Sequence, residues 1–317
     1  MTYFIQCIIP AIIFAAAVLS VYILEIRLWI QAYRKKSIRC LTHWSAWILH
    51  ILSITGLVCL SWGYFVEPYR LEVTHIPIYT DKLKNASLRI VQISDLHCDR
   101  KERLEPKLPE IVNELNPDLI VFTGDAVNTP RSLPLFRETL SQMHAPLGQY
   151  GVNGNHDMKV CPETDLFIDS GFKELKLDTV LLEKEGESIG LCGVDYLNGK
   201  ISFKAIKQLK EDQFNVLLYH TPDLIDYLDN TPIDLYLCGH THGGQIALPF
   251  YGAIITQSSH GKRYEAGLYQ VGHITFYINR GIGMTGGPLP RIRFLATPEV
   301  TVFDIQPKTP DQWNGLN

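Results

Sequence analysis

The chain has 317 residues, 46% apolar and 20% charged, with a formal net charge of −4; nothing in it is low-complexity or repeated at solenoid or propeller spacing, which leaves a globular chain of one large domain or two ordinary ones. The charge is uneven: residues 1–66 hold five Lys/Arg against Glu25 (+4), so the remainder holds 24 basic and 32 acidic residues (−8). So acidic a body lacks the dense basic face that nucleic acid requires, and no nucleic-acid partner is expected.

Ile8 to Leu24 is an uncharged apolar run, and Trp44 to Val66 is a second, interrupted only by His50 and by glycine or small polar residues. Each approaches the ~20 residues that cross a bilayer as a helix. Arg34-Lys35-Lys36-Ser37-Ile38-Arg39 forms a basic loop between them. Trp29, Tyr33, Trp44, Trp47, Trp62 and Tyr64 gather toward the run ends, as rings do at membrane interfaces. A cleaved signal peptide fits poorly, because no basic segment precedes the first run and a second run follows it. Residues 1–66 therefore read as a membrane anchor of two hydrophobic helices with the lipid bilayer as partner, which in a bacterium is the cytoplasmic membrane. Orientation stays open. The basic loop puts the following domain outside the cytoplasm, the absence of any CxxC pair among seven scattered cysteines leans toward a reducing compartment, and a hairpin dipping into one leaflet obeys neither constraint.

Residues 67–87 read as a linker, 88–306 as the catalytic domain and 307–317 as a tail. Leu88–Ser94, Leu119–Gly124 and Gln149–Asn153 have the composition of strands, with helices expected at about 103–116 and 132–143 between them. The second half is richer in strands: Ser188–Val194, Phe214–Tyr219, Ile233–Cys238, Gly244–Pro249, Tyr269–Ile278 and Glu299–Ile305. The expected fold is α/β, two facing mixed β-sheets flanked by helices, preceded by the helical hairpin.

The chemistry-bearing residues sit where strands end. Asp95-Leu96-His97, Gly124-Asp125, Gly154-Asn155-His156-Asp157, His220 and Gly239-His240-Thr241-His242 each follow an apolar run, and the carboxyl ends of strands are where open α/β sheets place their sites. Carboxylate and imidazole donors together favour manganese, iron or zinc over calcium. The one-residue spacing in Asp95-x-His97 and His240-x-His242 puts each pair on the same side of an extended segment.

This set, in this order, resembles the calcineurin-like metallophosphoesterase superfamily across residues 88–305. Gly239-His240-Thr241-His242-Gly243-Gly244-Gln245 and Asn279-Arg280-Gly281-Ile282-Gly283, followed by Pro298-Glu299, are similar to a membrane-associated or exported bacterial branch. The resemblance implies two divalent metal ions, with manganese first in expectation and iron or zinc next. Asp95, His97 and His242 would hold the first, Asn155, His220 and His240 the second, and Asp125 would bridge them. It also implies that His156 faces the scissile phosphate and that Asp157 hydrogen-bonds the His156 ring. Asn128 stands where some relatives have Asp and is a candidate phosphate contact.

An anchored site favours an amphiphilic phosphate-containing substrate. With its two-helix anchor the chain looks most like the branch that hydrolyses UDP-2,3-diacylglucosamine to UMP and 2,3-diacylglucosamine 1-phosphate in lipid A synthesis. A less selective membrane phosphodiesterase or phosphatase and a non-catalytic scaffold are the alternatives, and the complete ligand set argues against the scaffold. Phe136, Phe167, Phe172 and Phe203 are candidates to line an acyl-chain groove. Arg100, Lys101, Arg263, Arg291 and Arg293 are candidates for phosphate or headgroup contacts.

Overall fold

The computed structural model describes residues 4–286 and 291–308. Pro10 opens the helix α1 (Ile9–Lys35), and Lys36, left-handed with its N–H on the carbonyls of Ala32 and Tyr33, closes it. The helix α2 (Trp44–Phe65) returns alongside it, with the His43 imidazole accepting from the Ser45 N–H at its start. Both helices are long and apolar enough to cross a membrane, and Ile12, Ile13, Leu19, Ile51, Ile54 and Val58 are exposed on them. Glu25 of α1 is held by His50 Nδ1 of α2 at 2.7 Å and by Trp29 Nε1 at 2.8 Å, so this half-buried acid is partnered within the hairpin.

Residues 67–87, expected as a linker, carry instead the nine-residue strand β1 (Glu72–Thr80). It is an edge strand, which is why it tolerates Pro77. The first sheet continues with β2 (Leu88–Ile93), β3 (Leu119–Phe122), β4 (Gln149–Gly151) and β5 (Lys173–Glu174), between which lie α3 (Leu108–Glu114), α4 (Leu133–Ser141) and α5 (Asn155–Val160). The second sheet uses β6 (Leu177–Lys184), β7 (Glu187–Val194), β8 (Phe214–Leu218) and β9 (Leu235–Cys238), with the short helix α6 (Phe203–Ile206) between β7 and β8. A small hairpin, β10 (Ala247–Leu248) and β11 (Gly252–Ala253), replaces the expected strand 244–249. The stretch 269–278, expected as one strand, turns at Gly272 into β12 (Gly267–Val271) and β13 (Ile274–Ile278). The last strand, β14 (Glu299–Pro307), returns to the first sheet. Of the expected tail, residues 309–317 lie outside the described residues.

The strand orders are β1-β14-β2-β3-β4-β5 and β12-β13-β9-β8-β7-β6, mixed in both sheets. Ile90, Val121, Leu191, Val216, Leu237 and Phe303 fill the space between them. Alternate residues of the same strands, such as Val91, Ile120 and Phe122, pack outward under α3 and α4, and Cys192, Leu217 and Tyr236 pack under the outer layer of the second sheet. Burial on both faces explains the continuous apolar runs. Phe136, Phe167 and Phe172 belong to this packing, with Phe136 and Phe167 ring to ring against Phe122; they line no groove.

The hairpin is seated on the domain. The Arg293 N–H donates to the Gly63 carbonyl at 3.0 Å, Thr297 Oγ1 donates to Glu67 Oε1 at 2.9 Å, and Tyr251 Oη donates to the Gln6 carbonyl at 3.1 Å.

Candidate metal centre

The loops after β2, β3, β4, β8 and β9 converge at one end of the two sheets. Asp95, His97 and His242 form one group of facing donor atoms, and Asp125, His220 and His240 form another. Asp125 stands between them, its Oδ2 lying 3.4 Å from His97 Nε2 and 3.3 Å from His220 Nε2. Asn155 Oδ1 lies 3.1 Å from the same His220 nitrogen. All seven expected ligand residues are thus brought together, by a route that differs from the expected one. Asp95, His97, Asp125, His240 and His242 all have positive φ, between 40° and 73°, so the Asp-x-His and His-x-His segments coil rather than extend. Left-handed backbone in non-glycine residues is strained and collects at functional sites.

Outer partners fix which nitrogen of each ring is free. His220 Nδ1 faces the Thr123 carbonyl at 2.7 Å and His240 Nε2 faces the Gln257 carbonyl at 3.1 Å. Carbonyls only accept, so these nitrogens carry protons, which leaves the opposite ones, 3.3 Å apart, as those that would offer lone pairs to a cation. His97 Nδ1 lies 3.1 Å from Asn128 Oδ1, while the Asn128 amide donates to the carbonyls of His97 and Met284. Asn128 therefore orients His97 instead of standing free as a phosphate contact.

Electrostatics lead to the same conclusion. Burial opposes a charge on His220, but Asp125 and then Asp95 outweigh it and lift the imidazole to about 10. Burial and neighbouring histidines hold His240 and His242 below the ordinary range, with the Arg293 guanidinium adding to the effect on His242. The cluster holds a proton where lone pairs and carboxylates converge, and a cation satisfies it better. The buried Nε2 atoms of His97 and His156 have no hydrogen-bond partner. Nitrogen and oxygen donors with an orphaned imidazole fit two divalent cations.

Asp157 departs from expectation. Its carboxylate accepts backbone N–H bonds from Gly154, Asp125 and Ala126, at 2.9, 2.8 and 2.8 Å; it pins the turn bearing Asp125 rather than the ring of His156. Burial and the charge on Asp125 push it up to about 7. The main-chain N–H of His156 donates to Asp125 Oδ1 at 2.9 Å, and burial and His97 hold its imidazole below the usual value.

The basic candidates scatter. Arg100 is exposed. Arg263 lies over the Tyr264 ring near Asp226. Arg291 pairs with Asp99 at 2.7 Å. Arg293 is fully buried, donating to the carbonyls of Gly283 and Ala296 and to His242 Nδ1. Sequence reasoning assigned no role to Gly281 and Gly283, yet a Cβ on Gly283 would stand 2.1 Å from the Leu96 carbonyl. The glycine-rich run 281–283 was the available signal: only bare backbone lies that close behind the Asp95–His97 turn.

Residues 88–244 match the family model for calcineurin-like phosphoesterases. The metallophosphoesterase YkuE of Bacillus subtilis is 37% identical over 265 residues, 78% of this chain and 90% of that protein. Phosphodiesterase YaeI of Escherichia coli is 29% identical, covering 77% and 93%. UDP-2,3-diacylglucosamine pyrophosphatase LpxG of Chlamydia muridarum is also 29% identical, covering 80% and 96%. With its two-sheet fold and its paired donor groups, the chain belongs to the calcineurin-like metallophosphoesterases and is a metal-dependent phosphoesterase.

Proposed function

We propose that this chain is a membrane-anchored hydrolase that cleaves a phosphoanhydride in a lipid-linked substrate, with UDP-2,3-diacylglucosamine as the leading candidate. The observation that carries the reading is the apolar hairpin seated directly against the phosphoesterase domain. The likeness to LpxG supports it.

Asp95, His97 and His242 would hold one divalent cation and Asn155, His220 and His240 the other, with Asp125 shared. When bound, such a pair supplies charge neutralisation for the phosphate and an activated water. The protein's own part is positional. Asp157 fixes the backbone of Asp125, Thr123 and Gln257 fix the tautomers of His220 and His240, and Asn128 fixes His97. His156, with its Nε2 unpartnered and its ring neutral at physiological pH, donates a hydrogen bond to the leaving or phosphoryl oxygen. A UMP leaving group is weakly basic and needs no more than that.

The test is UMP release by detergent-purified full chain with manganese, set beside turnover of bis-p-nitrophenyl phosphate. Fast UMP release with feeble turnover of the artificial diester is expected. The reverse pattern would make the chain a general phosphodiesterase. That second reading is favoured by the basic loop at the far end of the hairpin, which by charge distribution puts the domain outside the cytoplasm. A reporter fused after Asn317 that works only outside would select it.

A further inference from the structure

Between α1 and the hairpin β10–β11 lies a groove of about 480 Å³, inside the ~300–1,000 Å³ range of ligand cavities. Its helix wall includes Phe14, Val18, Leu19 and Tyr22, and its domain wall includes Ile246 and Ile254. Nothing charged lines it, so water gains little there and hydrocarbon fits.

Two features say what the occupant is. The first is depth. The helix wall runs from Ala11 to Tyr22, inside the uncharged run Ile8–Leu24 that would face lipid tails. The residues from Ile246 to Ile255 contain no charge either, and Phe250 at the hairpin tip is fully exposed. The groove thus opens at the level of acyl chains. Lys262, which donates to the carbonyls of Tyr251 and Ala253 and pairs with Glu265, sets a charged pair beside this apolar hairpin, as belongs at the headgroup boundary.

The second feature is continuity with the metal centre. Gly244 and Ile255, both in the groove wall, stand two residues from His242 and from Gln257, and the Gln257 carbonyl holds His240. A chain lying in the groove therefore ends beside the donor cluster. Tyr22, whose Oη donates to the Ser53 carbonyl at 3.2 Å, ties this wall to α2.

We infer that this groove takes the hydrocarbon chain of the phosphate-bearing substrate, which enters sideways from the bilayer, and so selects chain-bearing phosphoesters over water-soluble ones. The inference rests on the lipid-linked reading above. A structural lipid tail would be the competing occupant.

The test uses full-length protein in vesicles of neutral phospholipid, loaded with manganese. Its substrates are two uridine diphosphate esters, one with a short and one with a long alkyl chain. Rates are compared per substrate in the bilayer, each ester's partition being measured separately, because a chain entering from lipid is already out of water. Wild-type protein should then prefer the long chain by at least about tenfold in kcat/KM, through packing against the groove walls. Ala15→Trp, which fills the groove, should remove most of that preference, mainly through KM. Ile254→Trp, from the opposite wall, should do the same should the helix variant fold poorly. Ala17→Trp, on the same helix but outside the groove, should keep the wild-type preference. If wild-type protein shows the preference and both groove-filling variants retain it, a structural lipid fills the groove and the inference is overturned while the lipid-linked reading survives. If wild-type protein shows no preference, the lipid-linked reading falls and takes the inference with it.

Discussion

Replacing Asp157 with asparagine separates two roles for that carboxylate. Its Oδ2 accepts from the N–H groups of Gly154 and Asp125, and its Oδ1 accepts from that of Ala126. Asparagine has the same shape but one terminal donor. In the better orientation its oxygen serves Gly154 and Asp125, and its NH2 is turned against the Ala126 N–H, which is left buried and unmatched. Such an orphan costs ~1–3 kcal/mol. In metal-free protein the carboxyl sits at about 7 and is already partly protonated near neutrality, so the substitution changes little there. Cations at Asp125 favour the ionised form, and the full cost then appears. Manganese affinity should fall roughly 5- to 150-fold, and the metal-loaded Tm should drop by about 2–12 °C. Thermal unfolding with chelator and with saturating manganese, beside metal titration, measures both. Wild-type affinity and Tm combined with slow turnover would refute the reasoning and return Asp157 to the ring of His156.

His220 gives a pH signature. Its pKa rises from 6.5 in the unfolded chain to about 10 in the metal-free fold, so its contribution to stability is fully present below 6.5 and is lost as pH climbs through about 10. Loading the metal must expel this proton, so manganese affinity should rise about tenfold per pH unit in that window, with one proton released near pH 8; calorimetry in buffers of different ionisation enthalpy counts it, and no release would contradict the arrangement. Gly239→Ala puts a methyl 2.0 Å from Asp95 Oδ2 and 2.1 Å from Ser94 Oγ. It should cost ~1–3 kcal/mol of overpacking strain and most of the bound metal, and a normal metal content would show the contact to be relaxed.

What the sequence disclosed is what chemistry forces on residue type. A divalent-metal site needs carboxylate, imidazole and amide side chains, and Asp95, His97, Asp125, Asn155, His220, His240 and His242 announce themselves at strand ends. Their outer partners do not. Thr123 and Gln257 act through carbonyls that any residue would present, and Asp157 is claimed by three backbone N–H groups whose approach only the fold creates. Arg293 reads as a surface charge because arginine usually is one, yet four backbone carbonyls and His242 surround its buried guanidinium. The same limit hid β1, where Pro77 masked a strand that survives at a sheet edge by pairing with β14 along its whole length. Conversely, Phe136, Phe167 and Phe172 suggested a groove by type, but tertiary packing spent them on the core. The groove that exists is built from mostly apolar residues of the anchor and of the segment around the β10–β11 hairpin, each ordinary alone.

The protonation state of His156 links the site to its class of substrate. Burial and His97 hold this imidazole below 6.5, against the opposing pull of Asp125, and two cations nearby would lower it further. A ring neutral at pH 7 is a poor acid. It serves a leaving group that departs without a proton, such as a nucleoside monophosphate, far better than an alkoxide, which must be protonated as it leaves. His156→Ala should therefore lose about 10²–10³ in kcat on an anhydride, the loss typical of one hydrogen-bond donor to a developing charge, and retain its metals. The wild-type kcat on that substrate should not fall as pH rises from about 6 to 9, because a neutral donor has no proton to lose in that window. A kcat that falls with rising pH near 6, and does so only while His156 is present, would mean that imidazolium is the working form. The site would then be suited to alkyl diesters, and the preference for anhydrides would have to go.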